Sequence, residues 1–212
     1  KLHILILIAS VRLWKKFYLN DNCILYCDEL TRDTLSTIEV LHLWDKIELY
    51  KPTRKINREV FWASAKLEVL ALQTKPCILV DNDMHIYSPI KEYLDPNKFY
   101  VHNIEEGKGY YPSYVDPHVR KLKLKPRWPI ESVNVAFLQL PDSDFIKEYA
   151  EGSLQLMEEF TAMNVPNSQY LIFAEQLYLS YLFKSKGIEF NSLVGTYWNC
   201  NEWEWGKEHD RG

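Results

Sequence analysis

Two aspartates one residue apart, Asp81 and Asp83 in the run CILVDNDMHIYSPI, follow an apolar tetrapeptide and precede a second apolar stretch. Mg²⁺ and Mn²⁺ take oxygen ligands and characteristically accept only one or two protein carboxylates, completing their shell with water and substrate phosphates. Carboxylates at i and i+2 beyond a strand suit that role, one binding directly and the other through water or a ribose. A cation held there neutralises charge growing on a diphosphate leaving group. The triplet alone is a weak signal, because Asp and Asn crowd turns to hydrogen-bond their own backbone. Its place between two strand-like runs separates it from an ordinary solvated turn.

Other groups have a chemical and a plain reading. The stretch RKLKLKPR holds Arg120, Lys121, Lys123, Lys125 and Arg127. It is either a solvated face or a phosphate-binding loop, for a diphosphate or for nucleic acid. With a formal net charge of −4 and a pI near 5.9, the chain as a whole does not attract nucleic acid, so any polyanion must meet this local patch. Trp198, Trp203 and Trp205 can stack on a sugar or base or pack on a sheet edge. His85 and His102 lack partners at metal-ligand spacing and read as structural. Cys23, Cys27, Cys77 and Cys200 match neither a zinc-site spacing nor a disulfide framework. Reduced thiols and a cytoplasmic setting follow as the expectation.

The elements needed to position the acidic pair are legible as alternating strands and helices. Leu2–Ala9 is apolar apart from His3 and reads as a buried first strand. It is too short to span a bilayer, which takes about twenty residues, and no small-residue cleavage site follows, so no membrane segment is expected. A helical segment over residues 11–19 leads through NDN to a second strand in CILYCDEL. Thr31 is placed to cap a helix from Arg32 to Trp44, and KIELYKP is a third strand stopped by Pro52. Asn57–Gln73 is the strongest helix signal and feeds the strand that ends in the aspartates. SVNVAFLQL is a further strand, followed by helices over Ser143–Met163 and Asn167–Lys186. This order implies an α/β single domain with a mostly parallel central sheet flanked by helices, and ligands gather at the carboxyl ends of such strands.

The stretch FWASAKLEVLALQTKPCILVDNDMHIYSPI resembles the centre of GT-A type glycosyltransferases, where a helix leads into the strand bearing the D-x-D motif. The likeness extends over IASVRLWKKFY and ILYCDEL, similar to the family's nucleotide-binding half. It continues through SVNVAFLQL, similar to its sugar-facing strand, and FAEQLYLSYLF, similar to its acidic-Gln helix. Most of the chain is covered, in the family's order.

The resemblance implies a Rossmann-like GT-A domain over residues 1–212, with a nucleotide-binding half over 1–100 and an acceptor and sugar half over 101–212. Asp83 would bind Mn²⁺ or Mg²⁺, with Asp81 on the metal or the ribose. Ala9, Ser10, Asp28 and Lys66 would contact a nucleotide-diphosphate sugar, UDP-linked by analogy with the family, with Asn134 and Gln176 near the sugar. Glu175 would be the acid or base beside the acceptor hydroxyl. Two departures stand out: Ala136 replaces a Gly that many relatives carry, and the candidate third metal ligand is His209, near the end of the sequence. The acceptor is unspecified; a modified base in DNA, met through Arg120–Arg127, is one alternative. A sugar-nucleotidyltransferase fits less well, because IASVRLWKK lacks the Gly-rich loop of that class, and a haloacid-dehalogenase-like phosphatase wants its aspartates after the first strand. A non-catalytic sugar-nucleotide-binding module is the remaining alternative.

Overall fold

The computed structural model describes residues 2–106, 112–113, 115–124, 131–194 and 197–198. Helices and strands intermix along the chain, which is a mixed α/β protein. Contacts gather into two compact units, Lys1–Thr53 with Val80–Asp95, and Arg54–Leu79 with Pro96–Gly212. Among the described residues no helix is long and apolar enough to cross a membrane.

The first unit opens with α1, Leu2–Phe17. The expected first strand over Leu2–Ala9 is therefore the first half of a helix. A nearly unbroken apolar run carries no period of its own. Here the absence of a turn before VRLWKKF and the helix propensity of Leu and Ala favour the helix. Ile4, Leu7, Ile8 and Val11, spaced at i, i+3, i+4 and i+7, pack with Leu35 and Trp44. Leu2 and Leu5 lie off that stripe and are exposed.

β1 (Ile24–Cys27) and β2 (Lys46–Leu49) pair in parallel, Ile24 opposite Lys46. They are joined through α2, Glu29–Thr37. Asp28 rather than Thr31 caps α2, its Oδ1 accepting the Thr31 amide at 2.7 Å. The helix also stops short of Trp44. The Thr34 and Thr37 hydroxyls donate back to the Leu30 and Asp33 carbonyls, and Glu39 takes the left-handed conformation at φ 58. Leu41–Leu43 is only a 3-10 turn.

In the second unit β3 (Cys77–Val80, all but its last residue in this unit), β7 (Phe137–Leu140), β4 (Phe99–Val101) and β8 (Phe190–Ser192) form one sheet in that order. β4 runs antiparallel to β7 and parallel to β8. A second sheet has the order β6 (Glu131–Val133), β5 (Ile104–Glu106) and β9 (Tyr197–Trp198), with one antiparallel and one parallel pairing. The described strands thus fall into three small sheets, one parallel and two of mixed sense, where the sequence suggested a single, mostly parallel one. Ser132–Leu140, expected as one strand, is split because Asn134 Oδ1 accepts the Ala136 amide at 2.9 Å, a side-chain turn that breaks the ladder.

α3 (Ser64–Ala71) packs on α4 (Ser143–Ala162). It is shorter than Asn57–Gln73 because Asn57 Oδ1 accepts the Glu59 amide at 3.1 Å, forming a turn ahead of the helix. Asp142 caps α4, accepting the Asp144 and Phe145 amides at 2.8 and 2.9 Å. The last helical stretch follows the expected span but has three parts: α5 (Gln169–Ile172), a π-helical turn over Phe173–Leu177, and α6 (Tyr178–Lys186). Gly187 closes α6 in the left-handed conformation at φ 63, which a residue without Cβ adopts at no steric cost. Phe61, Tyr149, Phe160, Phe173 and Phe183 are fully buried in the core these helices share with the sheets.

Candidate functional site

In the first unit the acidic pair lies immediately beyond β3. Asp81 begins a tight turn closed by the Met84 amide donating to its carbonyl at 3.0 Å, so Asp81 and Asp83 flank Asn82 at the turn's tip. Asp81 is half-buried and Asp83 exposed. The Ser10 hydroxyl donates to the Met84 carbonyl at 2.9 Å, and a His85 ring nitrogen lies 3.3 Å from the Ile6 carbonyl. Further on, the Tyr18 hydroxyl accepts the Lys91 amide at 2.8 Å, and Lys91 Nζ pairs with Asp21 at 2.7 Å. α1 and the turn after it therefore clamp the segment that carries the acidic pair. Ser10 meets the aspartate turn through this helix, with Ala9 beside it, rather than from the tip of a strand.

The donor set of the turn is two carboxylates. Among the described residues no group of three or more His, Cys, Asp and Glu side chains is placed to hold a metal ion. Hard oxygen ligands from two aspartates fit a Mg²⁺ or Mn²⁺ ion that takes its remaining ligands from water and phosphate, and do not fit a closed structural site.

In the second unit Lys66 on α3 and Glu175 on the π-helical turn form an ion pair, Nζ to Oε1 2.8 Å, with side chains 16% and 4% exposed. Both residues are singled out by the sequence. The neighbouring pair, Arg58 with Glu68, is drawn together at 2.5 Å, and Arg58 also donates to Ser64 Oγ at 2.8 Å. Trp62 is exposed in the turn before α3, so it does not share a face with Lys66 as a continuous helix would require. Gln176 is half-buried beside Glu175, and its carbonyl accepts the Ser180 hydroxyl at 3.3 Å.

Asn134 is held at both ends of its amide: Nδ2 donates to the buried Glu105 at 2.7 Å while Oδ1 takes the Ala136 amide. Its backbone also pairs with His102 and Asn103. Asn134 is thereby a clamp at the strand break, and Ala136 supplies the amide that completes it. Asp28 is exposed, and hydrogen bonds from Thr31, side chain and amide, lower its pKa. Arg120, Lys121 and Lys123 are exposed on and after a 3-10 turn, Val119–Lys121. Lys125, Arg127, Trp203, Trp205 and His209 lie outside the described residues, and Trp198 is described only in its backbone. Cys23 and Cys77 are half-buried free thiols and Cys27 a buried one; burial raises all three pKa values, Cys77 to about 11.

One cluster was missed from the sequence. The Tyr170 hydroxyl on α5 donates to Asp116 Oδ2 at 3.0 Å and lies 3.1 Å from His118 Nδ1, which is 3.3 Å from Asp116 Oδ1. Burial works to raise the Asp116 carboxyl, but amides of Val119 and His118, then the Tyr170 hydroxyl, outweigh it and lower its pKa. Burial, helped by Asp116, pushes Tyr170 up to about 12. Asp-Pro-His is a readable turn signal; nothing local to Tyr170 marked it as the partner. A cavity of about 360 Å³ is lined by Ile104, Ser132, Val133, Ser180, Phe183 and Phe190 among others. None of the residues selected by the resemblance lines it.

The chain is a mixed α/β protein, with an acidic turn in one unit and, separately, a buried lysine–carboxylate pair in the other. A model for a family of unknown function, DUF6734, matches residues 1–209, and the chain belongs to that family. No curated protein and no solved structure matches it.

Proposed function

We propose that the chain is a GT-A type glycosyltransferase that moves a sugar from a nucleotide-diphosphate sugar, UDP-linked in the first instance, to an acceptor hydroxyl. The observation that carries this reading is the acidic turn: Asp81 and Asp83 lie directly beyond a strand, in a loop clamped to α1 through Ser10. Two carboxylates can supply part of the oxygen shell of a Mn²⁺ or Mg²⁺ ion that takes its other ligands from water and a diphosphate. When bound, such an ion stabilises charge on the departing diphosphate.

The chain's own residues then divide the remaining work. Asp83, exposed at the turn, is the direct ligand; Asp81 orients the turn and meets the metal or ribose. Glu175 is the carboxylate that handles the acceptor proton. Asn134 contributes by fixing the strand break, since its amide is taken up by Glu105 and Ala136. Support for the GT-A arrangement comes from the order of motifs along the chain, together with β1 and β2 running parallel across α2.

Donor hydrolysis tests the reading. Incubation with UDP-sugars and Mn²⁺ should release UDP, and EDTA should stop it. UDP release that persists undiminished in EDTA would rule out the metal role, and no release from any nucleotide sugar would leave the binding-module reading in its place.

A further inference from the structure

Tyr170 has a single hydroxyl proton, which it donates to Asp116 Oδ2 at 3.0 Å. Its oxygen can therefore only accept from His118 Nδ1, 3.1 Å away, so Nδ1 carries a hydrogen and the Nε2 edge of the ring is left for another partner. Asp116 is fixed in turn, its Oδ1 accepting the His118 and Val119 amides at 2.7 and 3.2 Å. The His118 ring also stands edge-on to the Tyr170 ring, centroids 5.5 Å apart. The imidazole is thus held in one orientation from behind, with 29% of its side chain open to water.

The turn that follows supplies charge. The Lys121 amide donates to the His118 carbonyl at 3.0 Å, and residues three apart in a 3-10 turn share a side. Val119 and Leu122 are the pair turned into the core, which leaves His118 and Lys121 together on a neighbouring side. Arg120 and Lys121 are exposed, and neither side chain pairs with a carboxylate among the described residues. Glu159 of α4 is committed to the Lys123 amide at 3.0 Å, and Asp116 to Tyr170 and the turn.

We propose that His118, Arg120 and Lys121 form a binding site for a phosphomonoester, with Asp116 and Tyr170 as the positioning residues that hold the imidazole. All five belong to the second unit, and the proposal does not depend on the glycosyltransferase reading. The Arg120 guanidinium suits two phosphate oxygens at once, Lys121 adds a compact charge, and His118 Nε2 shares a proton with a further oxygen. A monoester offers three free oxygens and a second charge to such a set, where a nucleic-acid phosphodiester offers two oxygens and one charge. The net charge of −4 also gives the chain no long-range pull on nucleic acid.

Long-range ¹H–¹⁵N spectra of the full chain, labelled in its histidine rings, test this with inorganic phosphate as the first probe. The His118 signals are identified by their loss in His118→Gln. In phosphate-free buffer the wild-type ring should carry a proton on Nδ1. Phosphate should move the Nε2 signal saturably, with Kd on the order of 1 mM, and chloride at equal ionic strength should not. Replacing both exposed cations, Arg120→Gln with Lys121→Gln, should weaken phosphate about tenfold or more and leave the tautomer alone. Tyr170→Phe should keep the cations, mix the tautomers and weaken phosphate as well; if it fails to fold, the wild type and the double Gln variant still decide. A His118 that ignores phosphate, a response that chloride reproduces, or unchanged affinity in the double Gln variant overturns the proposal. So does a wild-type ring protonated at Nε2 alone, and a folded Tyr170→Phe with unaltered tautomer and affinity overturns the positioning role. In a second arm, phenyl phosphate should bind as inorganic phosphate does, and a thymidine oligonucleotide without terminal phosphates should not displace it. Displacement by the oligonucleotide with a steep salt dependence would overturn the monoester assignment in favour of nucleic acid.

Discussion

Lys66 Nζ stands 2.8 Å from Glu175 Oε1, joining the helix that leads into the acidic strand to the π-helical turn of the last helical stretch. Both side chains are largely withdrawn from water, so each charge gains from having the other beside it. Removing one partner strands a buried charge, whereas replacing both with apolar groups removes the need for either. Lys66→Met and Glu175→Leu should each cost about 3 kcal/mol in urea unfolding, and the double variant should cost clearly less than their sum. Strictly additive losses would mean that the two side chains are not coupled.

The contact between α4 and α6 makes a sharper packing prediction. A methyl group on Gly152 would overlap the Tyr178 hydroxyl and ring. Gly152→Ala should therefore destabilise by about 1–3 kcal/mol despite alanine's better helix propensity, and Tyr178→Phe in the same chain should return part of the loss. A Gly152→Ala protein as stable as the wild type would show that the tyrosine moves aside freely.

Stability should also respond to pH at both ends. Asp116 has a lowered pKa in the folded chain, so the unfolded chain binds its proton more readily. The stabilisation is present above the ordinary carboxylate range and is lost as the pH falls through the lowered value. Asp116→Asn should reduce stability at pH 7 and flatten the acid side of the pH profile. Tyr170 and Tyr178 are each raised to about 12. Unfolded tyrosine loses its proton near 10, so their contribution is complete below 10 and disappears as the pH rises toward 12. Tyr170→Phe should weaken that alkaline loss, read by thermal melts between pH 9 and about 12.

How far these features were legible depended on whether their causes were local. The strand ending at Val80 and the long α4 helix each follow from residues within a few positions, and the sequence reading places both. α1 was misread as a strand because an apolar run without alternation fits either element until its neighbours select a face; Leu35 and Trp44 make that selection. Side-chain turns at Asn57 and Asn134 ended elements that propensity alone would continue. The sequence pointed to Lys66 and Glu175 separately. That they pair, and that Glu105 holds Asn134, depends on contacts between distant segments that no spacing encodes.

The acidic turn carries the functional account, and calorimetric titration of UDP tests it most directly. In the presence of Mn²⁺ the wild-type chain should bind UDP, with binding weakened at least about tenfold by EDTA or by Asp83→Ala, an exposed change that leaves melting unaltered. UDP affinity that is the same with and without Mn²⁺, and the same in Asp83→Ala, would contradict the account.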